Sequence, residues 1–249
     1  MIPIFKWLGS KASRAEEFAV KLSHYIPQGG TYYEGFCGSA CVGITLGLLR
    51  PDIKMYFTDT NAKLIAAMNW IKANGNKTSE VRKIAMVMFK IADKHVDSYK
   101  EIKWYIESSD PVEWLAAVNC TRPTKNNYPY PRPEIARRLL VLKQAMHEAW
   151  MAFTNAHFIH APLHEINCDA AFFDPPYKDR TFKYDGEDYD IKTFQKILDC
   201  YRQMNNIKYI LITDHATQDY PGFTKSKSGK LLAGWNSFED TEAVYEWTR

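Results

Sequence analysis

The sequence lacks a strong charge of either sign: 32 Lys and Arg against 29 Asp and Glu leave a formal net charge of +3. No overall field marks it for nucleic acid, so any basic contact surface has to be local. Cysteine is scarce, and Cys37, Cys41, Cys120, Cys168 and Cys200 show neither CxxC nor Cys/His spacing. That disfavours a structural zinc site and a disulfide framework, and it predicts reduced thiols in a cytoplasmic protein that holds no metal. Long apolar runs are missing as well, so a soluble chain without membrane association is expected. No GKT-type phosphate loop occurs, which disfavours ATP. What is present is an ordinary globular composition, 46% hydrophobic and 24% charged, on 249 residues. That is long enough for one α/β domain with an inserted subdomain.

The most informative stretch is Asp174-Pro175-Pro176-Tyr177, directly after the apolar run Ala170-Ala171-Phe172-Phe173. An apolar run stopped by two prolines reads as a buried parallel strand ending at its carboxyl edge, where ligands bind in open α/β sheets. The prolines fix Asp174 and leave the Pro175 carbonyl unused by secondary structure. A carboxylate beside a free carbonyl is an acceptor-only pocket for an amino group, and Tyr177 offers a flat face to a planar ring.

Two further segments suit a nucleoside-like cofactor without phosphates. Residues 31–49 read as a strand, a loop of small residues (Gly35-Phe36-Cys37-Gly38-Ser39-Ala40) and a helix, the arrangement that brings backbone close to such a ligand. The next strand, Lys54 to Thr58, ends in Asp59-Thr60-Asn61. A carboxylate there is placed to accept hydrogen bonds from a ribose, while Asn61 is a candidate helix cap.

Taken in order, Lys6-Trp7-x-Gly9-Ser10-Lys11, Glu34-Gly35-Phe36-x-Gly38, Asp59-x-Asn61 and Asp174-Pro175-Pro176-Tyr177 resemble the Dam-type (D12 class) DNA adenine-N6 methyltransferases. The resemblance covers the two ends of the chain. It implies an α/β fold with a Rossmann-like sheet, helices on both faces, and an inserted, mainly helical target-recognition subdomain. Residues 1–73 and 157–249 would form the catalytic domain and 74–156 the insertion. It also implies S-adenosylmethionine (SAM) as cofactor, held by Trp7, Ser10, Lys11, Glu34, Phe36, Cys37, Gly38, Ser39, Asp59, Thr60 and Asp174, with Asp174 to Tyr177 catalytic. Three small-residue departures stand out: Ser10 and Ala40 replace family glycines, and Gly35 replaces proline. The segment 157–163 resembles the family's third motif but lacks its acid.

DNA is the expected partner, and no obligate protein partner is expected. Within the insertion, apolar residues recur at helical spacing from Val81 to Ile91 and from Ile102 to Ile106, which marks core-facing helices. Residues 119–133 read as an extended, proline-rich loop. Arg122, Lys125, Asn126, Asn127, Tyr128 and Arg132 there, with Arg137 and Arg138 opening the next helix and Lys6 from the N-terminal motif, are the candidate DNA contacts. Residues 178–190 read as a lid loop, 193–204 as a helix, 225–230 as a basic turn, and 242–247 as a last strand. Cytosine-N4 methylation and a catalytically decayed DNA-binding scaffold are the alternatives.

Overall fold

The computed structural model describes residues 3–5, 10–93, 99–121, 130–163, 165–176, 191–215, 218–230 and 241–249. Among these, seven strands form one sheet in the order β3-β2-β1-β4-β5-β7-β6. They are β1 (Thr31–Gly35), β2 (Lys54–Asp59), β3 (Ala156–His160), β4 (Ala170–Phe173), β5 (Tyr209–His215), β6 (Thr224–Lys230) and β7 (Thr241–Thr248). The first five are parallel, and β7 runs antiparallel between β5 and β6.

Alternation along the central strands explains why both faces carry helices. Tyr32, Met55, Phe57, Ala170, Phe172, Tyr209 and Leu211 belong to one apolar cluster. Their neighbours Tyr33, Ala171, Phe173, Ile210 and Ile212 belong to another. Successive side chains point to opposite faces, so a sheet with both sets buried must be covered twice. The first face is covered by α1 (Ala15–Ser23), α2 (Cys41–Leu49) and α3 (Ala62–Asn74), the second by α8 (Ile191–Gln203) through Phe194, Leu198 and Tyr201. The fold class is therefore the expected doubly covered α/β sheet.

Between α3 and β3 the described chain forms α4 (Thr78–Asp93), α5 (Tyr99–Glu107), α6 (Pro111–Cys120) and α7 (Arg132–Ala152). Val81, Ile84, Met88 and Ile91 bury one stripe of α4. This stripe, with Trp114 of α6 and Met146 of α7, joins the same cluster as the first sheet face. The N-terminal segment docks there too, Phe5 meeting Trp114 edge-on with ring centroids 5.6 Å apart.

Two sequence expectations change. The basic stretch 225–230 is strand β6, not a turn: it pairs with β7 from Thr224↔Glu246 to Lys230↔Thr241, with an irregularity between Lys227 and Lys230. The loop expected over 119–133 is shorter. Asp110 caps α6, its carboxylate accepting from the Val112 and Glu113 amides, and the helix runs on to Cys120. Helix α7 already starts at Arg132, with a proline in its first turn. The expected lid, 178–190, lies outside the described residues.

Candidate active site

The strand order reverses between the parallel neighbours β1 and β4, since β2 and β3 are laid down to one side and β4 and β5 to the other. In an open sheet the crevice at the carboxyl ends of such strands is the ligand site. The registers Gly35↔Thr58, Gly35↔Phe173 and Phe173↔Ile212 bring these ends level. Asp59, Phe36, Asp174 and Thr213 therefore follow one another along a single edge.

The loop after β1 is bent by three left-handed residues, Phe36 (φ 56°), Gly38 (φ 47°) and Ala40 (φ 50°). Backbone bonds hold it: the Cys37 amide donates to the Thr58 carbonyl and the Ala40 amide to that of Cys37. Asp59 braces it from the next strand. Its Oδ2 accepts from the Gly38 amide at 3.1 Å, and its Oδ1 from the Asn61 amide at 2.9 Å. Asn61 in turn caps α3 by accepting from the Leu64 amide. Thr60 is exposed, and its carbonyl lies 2.9 Å from His160 Nε2.

Ser10 ties the N-terminal segment to this loop. Its hydroxyl is 3.0 Å from Ser39 Oγ and 3.4 Å from Cys41 Sγ, and Ser39 Oγ is 3.2 Å from the same sulfur. Burial pushes the Cys37 thiol well above its ordinary pKa and raises that of Cys41, so neither is a thiolate at neutral pH. All five cysteines are free. Phe36 packs edge-on against Phe194. At Gly35 an added Cβ would lie 2.2 Å from Leu163 Cδ2, so Leu163 fills the space a side chain would need.

Glu34 is buried beneath the loop. It accepts from the Tyr32 hydroxyl at 2.9 Å and from the Gly43 amide in the first turn of α2, whose N-terminus has no side-chain cap of its own. Burial pushes its pKa up to about 8, against the pull of these two donors and with help from the charge of Asp174.

Asp174 follows β4 with Pro175 buried behind it. Its Oδ1 receives two donors, the Lys11 ammonium at 2.7 Å and the Thr213 hydroxyl at 2.8 Å. Among the described residues none donates to Oδ2. Lys11 also pairs with Glu242 Oε1 at 2.9 Å, and Arg14 reaches Glu242 Oε2 at 3.5 Å. Burial raises the pKa of Asp174, with Lys11 and Thr213 opposing it. Burial also disfavours the Lys11 charge, but Asp174 and Glu242 outweigh it and hold that pKa above its usual value. Glu242 and Thr213 are site neighbours that the motifs do not mark. The signal for Glu242 is topological, because an antiparallel β7 starts at the carboxyl edge.

Of the residues expected to act, Lys6, Trp7, Tyr177, Arg122, Lys125, Asn126, Asn127 and Tyr128 lie outside the described residues. Arg132 and Arg137 are exposed; Arg132 donates to the Ala92 carbonyl, and Arg137 pairs with Glu134. Arg138 turns inward. It donates to buried Asn119 Oδ1 at 3.0 Å and lies over the Tyr130 ring, a position that serves packing of α7 against α6. Among the described residues no group of three or more His, Cys, Asp or Glu could hold a metal, and no helix is long and apolar enough to cross a membrane.

No protein-family model matches the chain. No curated protein is detectably similar to it in sequence. Among solved structures it is distantly similar to precorrin-6Y C5,15-methyltransferase from Geobacter metallireducens, with 10% identity, TM-score 0.44, and 98% of this chain and 94% of that one covered. It is also similar to precorrin-8w decarboxylase from Methanobacterium thermoautotrophicum, with 11% identity, TM-score 0.44 and both chains covered in full. A protein of Pyrococcus horikoshii provisionally named an RNA methyltransferase gives 9% identity and TM-score 0.45 over 98% of this chain and 87% of that one. At this level the likenesses do not bear on activity.

Proposed function

We propose that this chain is a SAM-dependent DNA methyltransferase acting on the N6 amine of adenine. The observation that carries the reading is the level alignment, on one crevice, of the Gly38 loop, Asp59 and the Asp174-Pro175-Pro176 turn. The residue set fits a nucleoside without phosphates: the loop Phe36 to Ala40 carries no charged side chain, and Asp59 sets a carboxylate at the end of the second strand, the group suited to a ribose diol. SAM, when bound, supplies an electrophilic methyl group. Ser10, Lys11, Glu34, Phe36, Cys37, Gly38, Ser39, Asp59 and Thr60 are the described residues that would hold or frame it.

The chain's own work is then to position and polarise an amine. Adenine N6 is a weak nucleophile because its lone pair is delocalised into the ring. Asp174 Oδ2 and the Pro175 carbonyl would accept its two N–H groups, favouring a tetrahedral nitrogen with the lone pair free. Lys11 and Thr213 on Oδ1 fix the carboxylate plane and favour its charged form, which the acceptor role requires. Duplex DNA hides the amine, so the base would be flipped out, with Tyr177 as the stacking partner that the motif implies. Arg132 and Arg137 are the described candidates for phosphate contact.

The test is transfer of labelled methyl from SAM to unmodified DNA, followed by digestion to nucleosides. Label is expected in N6-methyl-2′-deoxyadenosine and should fall by about 100-fold or more in Asp174→Ala, the scale of losing a key polarising group. Label in N4-methylcytosine would reassign the base. Measurable SAM binding with no label in any DNA would reject DNA as the substrate.

A further inference from the structure

The ion pairs behind Asp174 form an alternating chain, Arg14, Glu242, Lys11 and Asp174, in which each inner member is shared. Glu242 is 5% exposed and lies two strands away from Asp174 in the sheet order. Three separated segments are thereby joined: the N-terminal segment through Lys11, β7 through Glu242, and the turn after β4 through Asp174. Four groups meet the Asp174 carboxylate directly or by charge. These are Lys11, Thr213 of β5, Glu242 of β7 and Glu34 of β1.

We infer that Glu242 is a positioning residue for methyl transfer: by sharing the Lys11 ammonium with Asp174, it holds that ammonium on Oδ1 and leaves Oδ2 to receive the substrate amine. The inference rests on the function proposed above. A lysine has four rotatable side-chain bonds and is a flexible point charge, so one carboxylate alone fixes its position poorly. A second acceptor on another strand narrows the positions open to the ammonium. Arg14 keeps Glu242 itself from swinging away. Without Glu242, the ammonium loses the acceptor that holds it on Oδ1 and swings away from Asp174, which leaves the carboxylate plane unfixed and its charged form less favoured.

Positioning by Glu242 differs from two simpler roles in the sign of a pH shift. Asp174 must be ionised to accept the amine, so its pKa sets an acidic limb in the pH dependence of kcat. The Glu242 charge by itself raises that pKa, and Lys11 lowers it. Glu242→Gln removes the charge but keeps an oxygen to accept from the ammonium, so the limb should move to lower pH. Glu242→Leu removes both charge and acceptor and releases Lys11, so the limb should move to higher pH.

The experiment is methyl transfer against pH for the wild type and both variants, with SAM affinity and thermal melting measured alongside. Glu242→Leu should lower kcat by about 10- to 100-fold, the scale of a misplaced catalytic group, with SAM affinity within about threefold of wild type. Glu242→Gln should recover most of that loss. Limbs that move downward together would mean a through-space charge effect and overturn the inference. Limbs that stay in place, with rates falling only as the folded fraction falls, would mean a structural role and overturn it equally. A wild type that binds SAM but methylates no DNA would reject the parent reading and this one with it; wild-type activity with wild-type variants would reject this one alone.

Discussion

Gly38 and Ala40 stand two residues apart in one loop and share the left-handed backbone region, with φ 47° and 50°, yet only one of them is glycine. Left-handed backbone costs an L-residue about 1–2 kcal/mol. The Ala40 methyl is buried, and burying one such group contributes about 0.8 kcal/mol. Glycine would also be freer in the unfolded chain by roughly 0.5–1 kcal/mol. These terms nearly cancel. Ala40→Gly should therefore leave stability within about 1 kcal/mol of wild type, whereas Ala40→Val, β-branched in a left-handed and buried position, should cost about 3 kcal/mol or more. Urea denaturation of both variants checks this. A large effect of the glycine would show that the loop depends on the methyl in a way its geometry does not reveal.

Arg137 and Arg138 are sequence neighbours with opposite surroundings. Arg138→Met leaves buried Asn119 Oδ1 without its donor and should destabilise by about 2 kcal/mol or more. Arg137→Ala loses an exposed i, i+3 ion pair with Glu134 and should cost no more than about 0.5 kcal/mol. If DNA is the partner, Arg137→Ala should weaken binding across sequences and reduce the slope of log affinity against log salt by about one. Melting curves and a salt titration of DNA binding separate the two residues. Equal stability losses would contradict the inward placement of Arg138.

The contrast between these arginines shows what the sequence holds and what it hides. Arg138 follows Ile135 by three and precedes Leu142 by four, on the stripe that α7 buries, so helical spacing alone could have turned it inward. The central strands are legible because their apolar runs are long enough to demand burial on both faces. Strand β6, Thr-Lys-Ser-Lys-Ser-Gly-Lys, carries no such demand and exists through pairing with β7. Asp174, Asp59 and the Gly38 loop were legible because each is local: a carboxylate or small residues at a strand end. Glu242 and Thr213 were not, because sheet register brings them to Asp174 from 68 and 39 residues away along the chain.

The buried acid beneath the loop should leave its mark on stability as a function of pH. Folded, Glu34 keeps its proton up to about pH 8; unfolded, it releases it near the ordinary value of 4.5. Between those values the native state binds more protons than the unfolded chain, so stability falls as pH rises. The contribution is complete below the unfolded value and lost as pH rises through 8. Glu34→Gln resembles the protonated acid and keeps an oxygen to accept from the Tyr32 hydroxyl and the Gly43 amide. Between about pH 5 and about pH 9 the wild type should lose on the order of a few kcal/mol that the variant retains. Asp174, also raised by burial, contributes a slope of the same sign, so the variant's curve should flatten without becoming level. Urea denaturation at steps of pH reads the difference directly. Parallel curves for the two proteins would mean that Glu34 is already ionised in the folded chain, with an additional donor holding its charge beneath the loop.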